Sequence, residues 1–135
     1  MNRTDYFKVP KAISNDGYSF ASKLEAALYQ QLKLQKIAGE IKEIKMQPNV
    51  MLTKYIKMIP DFLVEMAIDT KIGGINFFAG ECVYHEAKGY DSDVYKLKRN
   101  LWRTNGPGKL VVWKGTYRQL KYHETIISEC LSQCD

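Results

Sequence analysis

At 135 residues, with 45% apolar content and a net charge of +5, the chain has the length for one domain with a modest core and is not of disordered composition. No stretch is long and apolar enough to span a bilayer, and the opening Met1-Asn2-Arg3-Thr4-Asp5 lacks the apolar run of a signal peptide, so a cytoplasmic protein without a membrane partner is expected. Three cysteines, Cys82, Cys130 and Cys134, cannot form a closed disulfide set and show no zinc-ligand spacing, which fits reduced thiols.

Residues 1–18 read as an arm that ends in the turn signal Ser14-Asn15-Asp16-Gly17. A helix is predicted from Ser19 or Ser22 to Ala38. Leu24, Ala27, Leu28, Gln31, Leu34 and Ala38 share one face, and Gly39 is suited to stop it. Residues 41–46 are expected to be extended and are followed by Pro48. Over residues 60–68, Phe62, Val64, Met66 and Ile68 alternate, the pattern of a strand. After the turn signal Gly73-Gly74, residues 77–88 are predicted to return as a second strand. Cys82, Tyr84, Glu86 and Lys88 lie on one face of it, and Val83, His85 and Ala87 on the other. A hairpin symmetric about Gly73-Gly74 sets residue 61 opposite residue 86, so that Asp61 and Glu86 become neighbours on one face.

Asp91-Ser92-Asp93 is an N-cap cluster, and a helix is predicted from there to about Arg103. Val94, Leu97 and Leu101 form its expected buried stripe, with Lys96, Arg99 and Arg103 on another side. Asn105-Gly106-Pro107-Gly108 ends it. Leu110-Val111-Val112-Trp113 has the uniform apolarity of a buried central strand, and the tail after Tyr122 is predicted to be a last helix. Helix, strands, helix, strand and helix make an α/β layer fold with a mixed sheet.

Charge is unevenly spread. Residues 88–121 hold nine basic residues and two acids, a net of +7, and the remainder carries −2. A basic half suits a polyanion partner, although Lys-rich faces are also common on ordinary solvated surfaces.

Four residues stand in a chemically suggestive order: Glu25 on the first helix, Asp61 in Ile59-Pro60-Asp61-Phe62, then Glu86 and Lys88 in Tyr84-His85-Glu86-Ala87-Lys88-Gly89. Facing carboxylates repel unless neutralised, and Mg²⁺, which takes hard oxygen ligands and retains waters, would neutralise them. The Ala87 backbone carbonyl would be a further ligand, and Glu25 would complete the site directly or through water. Lys88, two residues from Glu86, would steady the attacking water or the charge developing on phosphorus. Plainer readings stay open. Ser22-Lys23-Leu24-Glu25 fits a capping box, Asp61 after Pro60 fits a turn acid, and Glu86 with Lys88 fits a surface ion pair. Glu65 and Glu81 are spare acids, His85 suits packing, and His123 has no partner suggesting a site.

The motifs Pro60-Asp61-Phe62 and Glu86-Ala87-Lys88, preceded by a helix carrying Ser22-Lys23-Leu24-Glu25, resemble the core of the PD-(D/E)xK nuclease superfamily. The likeness covers roughly residues 20–113. With Leu97-Lys98-Arg99 in the next helix, it is similar to small phage nucleases, among them the endonuclease I group that resolves Holliday junctions. The resemblance implies a single nuclease domain over residues 1–135: an arm at 1–18, a restriction-endonuclease-like catalytic core at 20–113, and a helical extension at 114–135. It implies Asp61 and Glu86 as metal ligands, Glu25 as a supporting acid and Lys88 as the catalytic lysine. Mg²⁺ would be the cofactor, replaceable by Mn²⁺, and the products would bear 5′-phosphates. Lys96, Lys98, Arg99 and Arg103 would hold DNA phosphates. The substrate would be branched DNA, a homodimer would supply two incisions, and no small-molecule cofactor is expected. Other nucleases of the superfamily, and a non-catalytic nucleic-acid-binding protein, are the alternatives.

Overall fold

Ser22 starts the first helix. Its extended backbone and its side-chain oxygen, which accepts the Glu25 N–H at 3.1 Å, cap α1 (Lys23–Ile37), and Gly39 at φ +83° ends it. The computed structural model describes residues 12–13 and 19–129, with side chains from Phe20 onward. Before α1, β1 (Ala12–Ile13) pairs with β2 (Ser19–Phe20); the predicted turn at 14–17, and Cys130 and Cys134, lie outside the described residues. The remaining elements are β3 (Ile41–Met46), β4 (Val50–Met51), β5 (Lys57–Met58), β6 (Phe62–Met66), β7 (Thr70–Ile72), β8 (Ile75–Phe77), β9 (Cys82–Ala87), α2 (Asp93–Asn105), β10 (Lys109–Gly115) and β11 (Leu120–Ile127).

The fold is α/β, with a five-stranded mixed sheet in the order β11-β10-β9-β6-β3, consistent with a restriction-endonuclease-like core. Strands β9 and β10 are parallel, with α2 between them in the chain, and the other neighbours are antiparallel. In β10, Leu110, Val111, Val112 and Trp113 are all buried, because helices cover both faces of the sheet. Val111 points to the side of α1, into a core with Leu28, Tyr29, Leu32, Phe62, Val64 and Val83. Val112 points to the side of α2, into a second core with Tyr95, Trp102, Leu110, Ile126 and the β4–β5 hairpin. Among the described residues no helix is long and apolar enough to cross a membrane.

The predicted register holds. Phe62 pairs with His85 and Glu65 with Cys82, while Thr70 pairs with Phe77 and Ile72 with Ile75; each pair sums to 147, as symmetry about Gly73-Gly74 requires. The strand predicted over 77–88 is nonetheless two strands. Phe78–Glu81 leave the ladder in a turn with Gly80 at φ +85°, where the Ala79 N–H donates to Asp69 at 2.8 Å.

Three further expectations are corrected. On α1, Leu34 is exposed and the buried face is Leu24, Leu28, Tyr29 and Leu32. On α2, Val94 and Leu97 are 62% and 54% exposed, while Tyr95 and Trp102 are buried. The two aromatic rings fill more core volume than the aliphatic stripe would, and the Trp102 Nε1–H finds an internal acceptor in the Gly108 carbonyl at 2.8 Å. Residues 115–129 are not a helical extension: β11 pairs along β10 from Lys109↔Ile127 to Gly115↔Leu120, and residues 130–135 lie outside the described residues. Its β-branched Thr125, Ile126 and Ile127 suit a strand that shields the edge of β10.

Candidate active site

The site lies where β6 begins and β9 ends. Asp61 stands one residue before the first ladder pair, Phe62↔His85, and meets Glu86 across the two strands. Asp61 Oδ2 accepts the backbone N–H of Ala87 at 2.8 Å, which ties the start of one motif to the middle of the other. Its carboxyl also contacts the carboxyls of Glu86 and Glu25. Glu25 comes from the first turn of α1. Its N–H donates to the N-cap Ser22 Oγ at 3.1 Å, while its side chain accepts the Ala21 N–H and meets Asp61, so Glu25 is part of the helix cap and a neighbour of Asp61 at once.

Burial and mutual repulsion leave these acids partly protonated near neutral pH. Burial and then the Glu86 charge push Asp61 up to about 8. Burial, with Asp61 beside it, pushes Glu25 up to about 7. Burial pushes Glu86, only 4% exposed, up to about 7, although Lys88 pulls the other way. The three acids form a chain from Glu25 through Asp61 to Glu86 rather than a closed cage. Among the described residues no group of three or more His, Cys, Asp or Glu side chains is arranged to hold a metal ion.

Lys88 continues β9 past its end, where its N–H donates to the Trp113 carbonyl at 2.9 Å. Its ammonium lies 4.7 Å from the centre of the Tyr95 ring, on α2. Beside the acids opens a cleft of about 280 Å³, lined among others by Lys57, Ile59, Glu86, Lys88, Tyr95 and Lys98. Three lysines and one glutamate are thus among the residues lining the cleft.

The basic residues predicted on α2 do not act as one surface. Lys98 lines the cleft. Lys96 is exposed. Arg99 is drawn inward, with its guanidinium 3.2 Å from Asp91 and 3.6 Å from Glu124. Arg103 is exposed and donates to the Asn100 side chain at 2.7 Å. Lys57 escaped the sequence reading because it lies between Pro48 and Pro60, in a stretch with no strong periodicity. Its nearness to Asp61 in the chain was the only available signal.

The spare acids are accounted for elsewhere. Glu65 faces Lys42 at 3.6 Å, and Glu81 faces Lys109 at 3.0 Å. His85 is buried on the α1 side, stacked on Trp113, whose Nε1–H donates to His85 Nδ1 at 3.0 Å. Burial pushes its imidazole down to about 3, so it is a neutral packing residue. Tyr84 packs edge-on against Trp102, and Tyr90 is exposed.

Fold and site together define an α/β protein with a partly buried chain of carboxyls at the end of its sheet, next to a lysine-lined cleft. The chain belongs to the family described as protein of unknown function DUF1064, whose model matches residues 6–132. No curated protein and no solved structure matches it.

Proposed function

We propose that this protein is a Mg²⁺-dependent DNA endonuclease of the PD-(D/E)xK type, selective for branched DNA and working as a homodimer. The observation that carries the reading is the meeting of Glu25, Asp61 and Glu86, from three separate segments, beside Lys88 and a basic cleft. Burying three like-charged groups together is costly unless a cation or protons are shared among them.

The donor set fits a hard cation. Asp61 and Glu86 are adjacent carboxylates and would hold Mg²⁺ or Mn²⁺, with the Ala87 carbonyl as a further oxygen and Glu25 acting through water. Two carboxylates suffice for Mg²⁺, which keeps several waters and takes substrate phosphate oxygens. When bound, the ion polarises the phosphate and lowers the pKa of a bound water. Lys88, which lines the cleft beside Glu86, would stabilise the extra negative charge on the phosphorus centre. Lys57 and Lys98 hold neighbouring phosphates. Water oxygen bonds to phosphorus and gives up a proton, and the bond to the 3′ oxygen breaks as that oxygen takes one up, leaving a 3′-hydroxyl and a 5′-phosphate. Paired cuts across a branch need two such sites, hence the homodimer.

A second reading has one observation in its favour. The acids form a chain, with no three arranged to hold a metal among the described residues, as in a DNA-binding protein that does not cut. An assay on four-way junction, flap, duplex and single-stranded DNA, in Mg²⁺ and in EDTA, separates the two. The nuclease reading expects cutting in Mg²⁺ only, lost in Asp61→Ala and Glu86→Ala. No cutting by the parent protein, or cutting that survives both changes, would overturn it. Equal cutting of plain duplex would remove the branch preference.

A further inference from the structure

We propose that the lysine-lined cleft receives an unpaired DNA strand, seating one nucleotide at a time between α2 and the β4–β5 hairpin, with Lys57 and Lys98 holding its phosphates. This rests on the nuclease reading and narrows its substrate to DNA with unpaired nucleotides at the branch.

Size is the first argument. The cleft measures about 280 Å³. That is near the lower bound of roughly 300 Å³ for small-molecule pockets. A duplex does not enter such a space, whereas a nucleotide turned out of the stack fits the kind of snug pocket that enzymes use for extruded bases.

The walls are also fixed. Val50, Leu52 and Met58 of the hairpin pack into one core with Tyr95 and Trp102 of α2. The Asn105 side-chain amide donates to the Leu52 carbonyl at 2.8 Å, pinning the hairpin at a second point. These contacts tie the hairpin wall to the helix wall and keep the cleft at the size of a single strand.

Chemistry is the third argument. Lys57 comes from the hairpin wall and Lys98 from the helix wall, and Glu86 and Lys88 also line the cleft. Ile59 and Val94, 44% and 62% exposed, also line the cleft and belong to neither core. Cations for the backbone and apolar surface for base and sugar faces are what single-strand sites combine. A surface built only for duplex phosphates has no use for the aliphatic pair. Lys57 belongs to neither sequence motif.

The test uses Asp61→Asn protein, so that binding is read without cutting. The probes are a fluorescein-labelled oligothymidylate and a blunt duplex of equal length, titrated by anisotropy over a series of NaCl concentrations. The oligothymidylate is expected to bind about tenfold more tightly than the duplex. In the same background, Lys57→Gln and Lys98→Gln each weaken it and each reduce the slope of log K against log salt by about 0.7, the value for one single-strand phosphate contact. Lys71→Gln, at the exposed central position of β7, changes neither. Tighter or equal duplex binding, or a Lys57→Gln variant with unchanged affinity and slope, overturns the proposal. Strand preference without cutting by the parent protein keeps the cleft assignment and removes the nuclease reading. Cutting without strand preference does the reverse.

Discussion

Asp61 Oδ2 accepts the Ala87 N–H at 2.8 Å, so the acid of the first motif holds the backbone between Glu86 and Lys88 of the second. Substitution separates this structural contact from the chemistry proposed for the Asp61 carboxyl. Asp61→Asn keeps an oxygen for the Ala87 N–H, and it should fold with a melting temperature at or above the parent's because one buried acid is gone. Asp61→Ala leaves that N–H unpaired in a half-buried position, costing about 1–3 kcal/mol. Both should lose cutting by about a hundredfold or more, the value of several kcal/mol of lost stabilisation. Thermal melts beside the cleavage assay check the split. An Asn variant as unstable as the Ala variant would show that the hydrogen bond does not matter.

The acid chain predicts that the metal-free protein loses stability as pH rises. Glu25, Asp61 and Glu86 have folded values of about 7, 8 and 7, above the ordinary 4.5, 3.8 and 4.5. The folded state therefore holds protons that the unfolded chain has already released. The stability they contribute is full below the ordinary values and is lost as pH climbs through the folded ones. His85 acts in the opposite sense. Its value falls from 6.5 to about 3, so its contribution is present above 6.5 and is lost as pH falls toward 3. Above pH 6.5 only the acids of this set matter. Melting temperature in EDTA should fall between pH 6.5 and 8, and Asp61→Asn should flatten that fall. Added Mg²⁺ should raise the melting temperature more at pH 8 than at pH 6, because at the lower pH it competes with protons. A flat parent profile would contradict the burial of the acids.

Tyr95 is a wall of the cleft and a ring for two cations, with the Lys88 ammonium at 4.7 Å and the Arg99 guanidinium at 5.4 Å from its centre. Burial and then the Glu86 charge keep its phenol protonated, and its oxygen is buried with no hydrogen-bond partner among the described residues. Removing an unsatisfied buried hydroxyl costs nothing, so Tyr95→Phe should be as stable as the parent or up to about 1 kcal/mol more so. It should also keep its cutting, since the ring remains. Tyr95→Ala removes the ring and should cost about 3 kcal/mol or more. Chemical denaturation of the pair checks this. A clear loss of stability in Tyr95→Phe would mean that the hydroxyl is satisfied by an ordered water.

Much of the site was legible because it depends on register. The paired glycines 73 and 74 fix the centre of symmetry, and period-2 alternation in β6 fixes the face, so placing Asp61 beside Glu86 needed no tertiary information. Helix phase was harder. On α2 the aliphatic residues Val94 and Leu97 suggested one buried face, but Tyr95 and Trp102 won it, and that rotation carried Arg99 inward and Lys98 to the cleft. Side-chain volume and the partner face decide such a contest, and neither is visible in one-dimensional periodicity. The last strand was missed because β11 is amphipathic and polar: Lys121 and His123 are exposed, and Tyr122 meets Trp113 edge-on at 6.0 Å. Only the edge of β10 makes it a strand. Nearness to Asp61 in the chain does not reveal that Lys57 lines the cleft, which depends on a hairpin that packs against α2.

The rotation of α2 makes its basic residues unequal. Arg99, with a side chain 15% exposed, is held by Asp91 at 3.2 Å and Glu124 at 3.6 Å, and Lys114 reaches the same Asp91 oxygen at 3.0 Å. Burial alone would raise Asp91, but Lys114 and Arg99 outweigh it and hold the carboxyl below the usual carboxylate range. Arg99→Ala leaves Glu124 without its cation and Asp91 with only Lys114. The expected cost is about 2 kcal/mol, less than the roughly 3–5 kcal/mol for breaking a fully buried pair, because these groups keep some access to water. DNA affinity corrected for the unfolded fraction should change little. Lys98→Ala should do the opposite, with near-parent stability and weaker binding, since its ammonium lines the cleft. Arg103→Ala, whose exposed side chain donates to Asn100 in its own helix, should move stability by less than about 0.5 kcal/mol. Urea melts and salt-dependent DNA titrations of the three variants give the comparison. If Arg99→Ala lowered the salt slope of binding while leaving stability intact, the inward orientation of Arg99 and the cleft geometry that depends on it would both be wrong.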